Sequence, residues 1–309
     1  MPKIIFTTSS FDLENFEAKE ELSNKGYHFL VNPFGKRLTE NQVDELLTDD
    51  VVGMIAGLEP LTRRVLENAK GLKVIARCGI GMDNVDLVAA KEIGIRVFNT
   101  PDAPTRAVAE LTLAHILSLC RRIPESNASL RSGNWNPLMG RLLARQTVGI
   151  VGFGRIGKMV SELLIGFGCR ILVFDPYPVS IVDYVTLVSL EELLQESDVV
   201  TLHLPYMPQT HHLINQSRLD QMKSNALLIN VARGGLIDEA ALLKTMEDKK
   251  IAGAALDCFE EEPYSGPLLS LQNIQATTHM GSYAQEARSM MESEACTLMV
   301  NGLKDLGLL

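Results

Sequence analysis

The sequence predicts an α/β protein of two domains, each built on a parallel sheet, and three observations carry that expectation. Short β-branched or apolar runs alternate with stretches of helical apolar spacing along the chain, the order that builds a parallel sheet covered by helices. A strand, a glycine-rich loop, a helix and a second strand follow one another between residues 146 and 175. Before that unit, Asn99-Thr100-Pro101-Asp102-Ala103-Pro104 breaks the alternation with two prolines and a polar turn, which points to a crossing between domains. At 309 residues the chain has the length of about two domains.

The first part alternates from its start. Strands are predicted at 4–7, 28–31, 51–56, 72–76 and 95–98, with helices near 12–24, 39–47, 60–69 and 84–92, the last closed by Gly94. This is a small, flavodoxin-like parallel layer. After the crossing, 105–122 reads as one long helix, with Ala107, Val108, Ala109, Leu111, Leu113, Ala114, Ile116, Leu117 and Leu119 spread over nearly every face. Such a helix is buried on several sides, either as a central core helix or partly by a second copy of the chain. The pattern does not separate the two. His115 within it reads as a packed core histidine, and Trp135, between Gly133 and Pro137, falls in a loop.

The central unit is the most specific stretch. Residues 147–151 form a β-branched run suited to a buried parallel strand. Gly152, Gly154 and Gly157 follow as G-x-G-x-x-G and lead into a helix over 156–164. Gly152 suits the tight turn, Gly154 the close approach of a pyrophosphate, and Gly157 the packing of helix on strand. The helix start offers that pyrophosphate free N–H groups and the positive end of a dipole. A strand over 170–174 ends in Asp175, 18 residues after Gly157. A carboxylate there accepts hydrogen bonds from an adenosine ribose and repels a 2′-phosphate. Order and spacing together mark a Rossmann domain that takes NAD rather than NADP.

Beyond Asp175 the alternation resumes. Strands are predicted at 198–204, 225–230, 251–256 and 274–277, with helices near 189–196, at 238–248 with Asp238 as N-cap, and at about 283–303. His211 and His212 read as solvated residues, since no carboxylate or cysteine clusters beside them to make a metal site. In an open parallel sheet, ligands sit beyond the carboxyl ends of the strands. Arg233, Asp257, Glu262 and His279 all stand just past predicted strand ends. Each alone has an ordinary explanation: an ion pair, the end of an acidic run, a helix cap. Jointly, an Arg, a Glu and a His over one nucleotide site form an anion-binding and acid–base set.

Composition narrows the remaining classes. Lys and Arg number 29 against 38 Asp and Glu, a net charge of −9 without any basic run, which argues against nucleic acid as a partner. The chain is 46% hydrophobic and 22% charged, an ordinary globular mixture. Cys78, Cys120, Cys169, Cys258 and Cys296 show no paired spacing and read as reduced thiols of a cytoplasmic protein. The N-terminus lacks a signal-type apolar region, and no run of ~18 apolar residues suggests a membrane span.

Five motifs in one order cover nearly the whole length. They are 77–86 (Arg-Cys-Gly-Ile-Gly-Met-Asp-Asn-Val-Asp), the glycine loop with Asp175, 230–239 (Asn-Val-Ala-Arg-Gly-Gly-Leu-Ile-Asp-Glu), 254–259 with Glu262-Pro263, and His279-Met280-Gly281. On these the chain resembles the D-isomer-specific 2-hydroxyacid dehydrogenases, most closely their phosphoglycerate dehydrogenase branch. The resemblance implies that Arg233 orients the substrate, that His279 is the acid–base group and that Glu262 is its carboxylate partner. It places the nicotinamide carboxamide contact on Asp257. Further cofactor contacts fall on Arg155 and Ile156 in the loop, and on or near Thr100, Leu204, Pro205, Val231, Ala232, Arg233, His279 and Gly281. The loop of Cys78, Gly79, Ile80 and Gly81 corresponds to the one whose N–H groups hold the substrate carboxylate. Arg77 resembles a phosphate-contacting arginine, with a surface salt bridge as the alternative. Thr278 stands where the family usually has proline before the histidine.

The same resemblance implies a substrate domain of residues 1–99 and 280–309 and an NAD domain of 100–279. The active site would lie in a cleft that hinge closure shields from water, and the NAD domain would pair two chains into a homodimer or a higher homo-oligomer. The implied reaction is hydride transfer between NAD(H) and a small anionic 2-hydroxy or 2-oxo acid, foremost 3-phosphoglycerate and phosphohydroxypyruvate, with no metal. A glyoxylate/hydroxypyruvate reductase is the alternative within the family. A non-catalytic NAD-sensing module is the alternative of a different class.

Overall fold

A computed structural model gives the fold and describes residues 1–177, 180 and 182–309. The chain divides into two compact units, Met1–Pro104 with Ser282–Leu309, and Thr105–Gly281. The divisions fall a few residues beyond the expected 99 and 279, and hydrogen bonds give the reason. Thr100 exchanges bonds with Gly79, its Oγ1 accepting from Gly79 N at 2.8 Å and its own N donating to Gly79 O at 3.1 Å. That exchange keeps 100–104 with the first unit. Met280 and Gly281 donate to Asp257 and stay with the second.

The first unit runs β1 (Lys3–Phe6), α1 (Lys19–Asn24), β2 (His28–Val31), α2 (Glu40–Leu46), β3 (Val51–Ala56), α3 (Arg63–Asn68), β4 (Val74–Arg77), α4 (Leu87–Ile93) and β5 (Arg96–Asn99). Its five strands are all parallel, in the order β2-β1-β3-β4-β5. Thr39 caps α2 in a reciprocal bond with Gln42, and Gly94 ends α4 at φ +86°, where a residue without Cβ sits at no cost. The expected helix over 12–24 is interrupted. Phe16 leaves helical geometry to bury its ring against Phe6 and Phe29, and only Lys19–Asn24 remain α-helical.

The second unit starts with α5 (Thr105–Cys120) and α6 (Ile123–Arg131), followed by β6 (Thr147–Val151), α7 (Arg155–Ile165), β7 (Arg170–Phe174) and β8 (Thr186–Leu187). It continues through α8 (Leu190–Glu196), β9 (Val199–Leu202), α9 (Gln216–Leu219), β10 (Leu227–Asn230), α10 (Glu239–Glu247), β11 (Gly253–Leu256) and β12 (Ile274–Ala276). The seven strands are parallel in the order β12-β11-β10-β9-β6-β7-β8. Strand order reverses between β6 and β9, the switch point where open α/β sheets take ligands. The long helix expected over 105–122 stops at Cys120, because Arg122 turns left-handed (φ +53°), and α6 starts afresh with Pro124 in its first turn. α5 buries Val108, Ala109, Thr112, His115, Ile116 and Cys120 against the sheet and α7.

The last helix, α11 (Gln285–Asp305), returns to the first unit and lies across β3, β4 and β5. Met291, Ala295, Met299 and Leu303 complete a core with Ile4, Phe6, Ile55 and Val74. Gly302 permits this approach, since a Cβ there would come within 2.9 Å of the Phe98 ring and the Val74 side chain. Among the described residues no helix is long and apolar enough to cross a membrane.

Candidate active site

The glycine loop has the shape its sequence demands. Gly152 sits at φ +99°, and a Cβ on it would lie 2.8 Å from the His203 carbonyl. A Cβ on Gly157 would overlap the Gly152 carbonyl oxygen, so α7 rests directly on the turn. Beside Gly154, by contrast, no atom stands within 4 Å of a built Cβ. Gly154 is also the N-cap of α7 and has no side chain to satisfy the first turn. An open space next to an uncapped helix start, with its N–H groups and positive dipole end, fits a pyrophosphate. Asp175 Oδ2 accepts from Phe153 N at 2.7 Å and Oδ1 from Tyr177 N at 2.9 Å. A carboxylate offers about four acceptor sites, so capacity for ribose hydroxyls remains.

Two loops converge beyond the neighbouring strands. After β10, Asn230 organises residues 231–233, accepting from Ala232 N at 3.1 Å and donating to the Arg233 carbonyl at 2.8 Å. Arg233 Nη1 donates to Ala232 O at 2.7 Å. After β11, the chain passes so close to this loop that a Cβ on Gly234 would overlap the Phe259 carbonyl group. Glycine is needed here for approach, not for conformation. Leu204 and Val231 are buried, and Pro205 is exposed after β9.

The acidic run after β11 divides between two histidines. Glu260 Oε1 lies 2.9 Å from His212 Nε2, whereas Glu262 lies 2.9 Å from His279 Nδ1 through both oxygens and also accepts from Phe259 N at 3.1 Å. Glu262 therefore does not simply close a solvated run. Nor does His279 cap the last helix, whose N-cap is Ala284. His279 is left-handed (φ +54°) and its ring is partly exposed. Thr277 N, bonded to Leu256 O at 3.0 Å, fixes the approach to Thr278 and His279. His203 is half-buried and pushed down to about 3 by desolvation, so it stays neutral. Burial likewise holds the Cys258 thiol well above its ordinary range. Among the described residues no cluster of His, Cys, Asp or Glu could hold a metal ion.

Asp257 departs from the simple expectation of a group waiting for nicotinamide. It is 1% exposed and already accepts three protein hydrogen bonds. Spacing carried no sign of those bonds. In the first unit, Cys78 N and Gly79 N are likewise engaged, by Ala56 O and Thr100 Oγ1. Ile80 N and Gly81 N make no hydrogen bond among the described residues. Arg77 is 5% exposed and donates to Cys78 O at 3.1 Å, so it is a buried residue and not a surface one. Thr100 is fully buried, and its hydroxyl accepts from Gly79 N.

Residues 113–281 match the family model described as the D-isomer specific 2-hydroxyacid dehydrogenase, NAD binding domain. The chain belongs to that family. Among its relatives, the D-3-phosphoglycerate dehydrogenase of Methanocaldococcus jannaschii is 43% identical over 258 residues, 81% of this chain and 49% of that protein. The chain thus spans about half the length of that relative. The hydroxypyruvate reductase of Thermotoga maritima is 36% identical over 94% of this chain and 95% of its own length. The crystal structure of the TT0316 protein from Thermus thermophilus superposes with a TM-score of 0.88 at 36% identity, covering 98% of this chain and 97% of that one.

Membership of the 2-hydroxyacid dehydrogenases makes NAD the cofactor of the second unit, and Asp175 supplies a test of the choice against NADP. Wild-type protein should bind NADH more tightly than NADPH in a fluorescence titration. Asp175→Ala should narrow the gap, chiefly by weakening NADH, since it removes an acceptor for the ribose. Equal affinities in the wild type would refute this role for Asp175.

Proposed function

We propose that the protein is an NAD-dependent D-2-hydroxyacid dehydrogenase acting on 3-phosphoglycerate and phosphohydroxypyruvate. The observation that carries the reading is the Glu262–His279 pair, 2.9 Å apart beside the Arg233 loop. Bound NADH would supply the hydride that reaches the carbonyl carbon of the oxo acid. Arg233, with its rigid fork of donors, would hold the carboxylate and the carbonyl oxygen. Glu262 engages Nδ1 of His279 and leaves Nε2 for the oxygen on which charge develops. Protonated His279 would give that oxygen its proton in reduction, and neutral His279 would take the proton back in oxidation. The N–H groups of Ile80 and Gly81 are offered for a substrate carboxylate.

The phosphorylated substrate has support from Arg77, a buried guanidinium at the end of β4, and from the name of the Methanocaldococcus relative. A second reading, hydroxypyruvate reduction, has support from the Thermotoga relative, which aligns over 95% of its length. Steady-state kinetics with NADH and phosphohydroxypyruvate, hydroxypyruvate or glyoxylate separates the two. Phosphohydroxypyruvate should give the highest kcat/KM, and Arg77→Ala should raise its KM far more than that of hydroxypyruvate. Equal effects on both substrates would remove the case for phosphate. Failure of every oxo acid would favour an NAD-sensing module.

A homodimer belongs to the same proposal, with its apolar surface carried mainly by the stretch after α5. No residue of α6 is buried within the chain. Ile123, Leu130 and Leu142 are exposed as well, with Trp135 at 82% and Met139 at 89%. So dense an apolar surface is rare on a monomer. Sedimentation should find a dimer, and Trp135→Ser with Met139→Ser should weaken it. A wild-type protein that sediments as a monomer ends this reading.

A further inference from the structure

We infer that His115, on α5, is a positioning residue that fixes the His279 loop through Thr277 and Asp257. The inference rests on the reading of His279 as the acid–base group. Asp257 Oδ1 accepts from Thr277 Oγ1 at 2.6 Å and from Met280 N at 2.8 Å, and Oδ2 accepts from Gly281 N at 2.8 Å. These donors stand on both sides of His279. One carboxylate therefore clasps the backbone that holds His279 in a left-handed conformation, which is uncommon for residues other than glycine.

The clasp depends on where the Thr277 hydroxyl sends its single proton. The 2.6 Å contact with a carboxylate takes that proton. The oxygen can then only accept from His115 Nε2, which lies 3.3 Å away. His115 is thereby fixed as the Nε2–H tautomer, and its Nδ1 is left as an acceptor. That Nδ1 and Gln275 Oε1 are both buried without a partner. The chain of contacts that carries the clasp therefore runs from His115 through Thr277 to Asp257.

The surroundings favour this over simple filling of space. His115 is 1% exposed on a helix face that also buries Val108, Ala109 and Ile116. Burial holds its proton affinity below the ordinary histidine value, and a neutral imidazole there costs free energy unless its N–H finds an acceptor. Val108, two turns earlier on the same face, stands 3.3 Å from where a Gly281 Cβ would lie. The helix thus backs the loop by packing at one position and by hydrogen bonding at the other.

The test compares His115→Met, which fills the space without a donor, with His115→Gln, which restores an N–H at similar reach, and with Thr277→Val. NADH affinity is read by fluorescence titration, independently of turnover, and kcat and KM by steady-state assay. His115→Met and Thr277→Val should each lower kcat about ten-fold, as small misplacements of reacting groups do. Each should weaken NADH binding about three- to ten-fold, the worth of one ordinary hydrogen bond. The double variant should be no worse than the poorer single one, and His115→Gln should recover most of the loss in both measurements. Wild-type kcat and NADH affinity in His115→Met would overturn the inference, as would a double variant whose losses multiply. Turnover that survives His279→Ala would instead refute the acid–base reading, with the NADH titrations still reporting on the clasp.

Discussion

His279→Ala should lower kcat for oxo-acid reduction by about 10²–10⁴-fold, the usual worth of a positioned acid–base group, while NADH binding stays within a few-fold of the wild type. Its partner gives the sharper result. Glu262 meets Nδ1 at 2.9 Å through both oxygens, and so sets the orientation of the ring and leaves Nε2 for the substrate. Glu262→Gln keeps the shape and one acceptor but removes the charge and one of the two contacts. Its kcat for the oxo acid should fall about ten-fold or more, as small misplacements of a reacting group do, while NADH binding stays within a few-fold of the wild type. Wild-type kcat in Glu262→Gln would mean that the pair has no part in proton transfer.

Arg233→Lys should lower kcat/KM for the oxo acid by about 10² or more, even though the charge is kept. Lysine offers a point charge on a flexible stem, whereas guanidinium binds a carboxylate and a carbonyl oxygen in a plane. The site leaves lysine little freedom to compensate. Asn230 holds residues 232 and 233 by their backbone, and the Gly234–Phe259 approach allows the loop no retreat. Arg233→Ala should be worse, and added guanidinium should restore part of its activity but none to the lysine variant. Wild-type kcat/KM in Arg233→Lys would show that only net positive charge matters at this position.

Much of the fold and part of the site were legible in the sequence, and the division has physical causes. Strands buried on both faces carry dense apolar runs with sharp ends, so Val51–Ala56, Thr147–Val151 and Arg170–Phe174 appear where expected. α6 was not legible, because a helix with no fully buried residue has no apolar stripe to read. Phe16 shows the opposite failure: helical spacing was present, but an aromatic core drew the residue out of the helix. In the site, Arg233, Glu262 and His279 could be singled out because each follows a strand of one sheet. Thr277 could not, since its hydroxyl matters only through Asp257 and His115, the latter 162 positions away. The use of Thr100 to hold Gly79 is equally a property of the folded chain.

The return of α11 to the first unit also sets an order of events during synthesis. The sheet face formed by Ile4, Phe6, Ile55 and Val74 leaves the ribosome ahead of the second unit. Its cover, Met291, Ala295, Met299 and Leu303, comes after that unit. In the interval every strand of the second unit emerges, so the N-terminal half-layer must wait with an oily face bare while a later-born domain is already complete. Nascent chains in that condition are the ones that chaperones meet, and of the two units the one that emerges first is the second whose core can close.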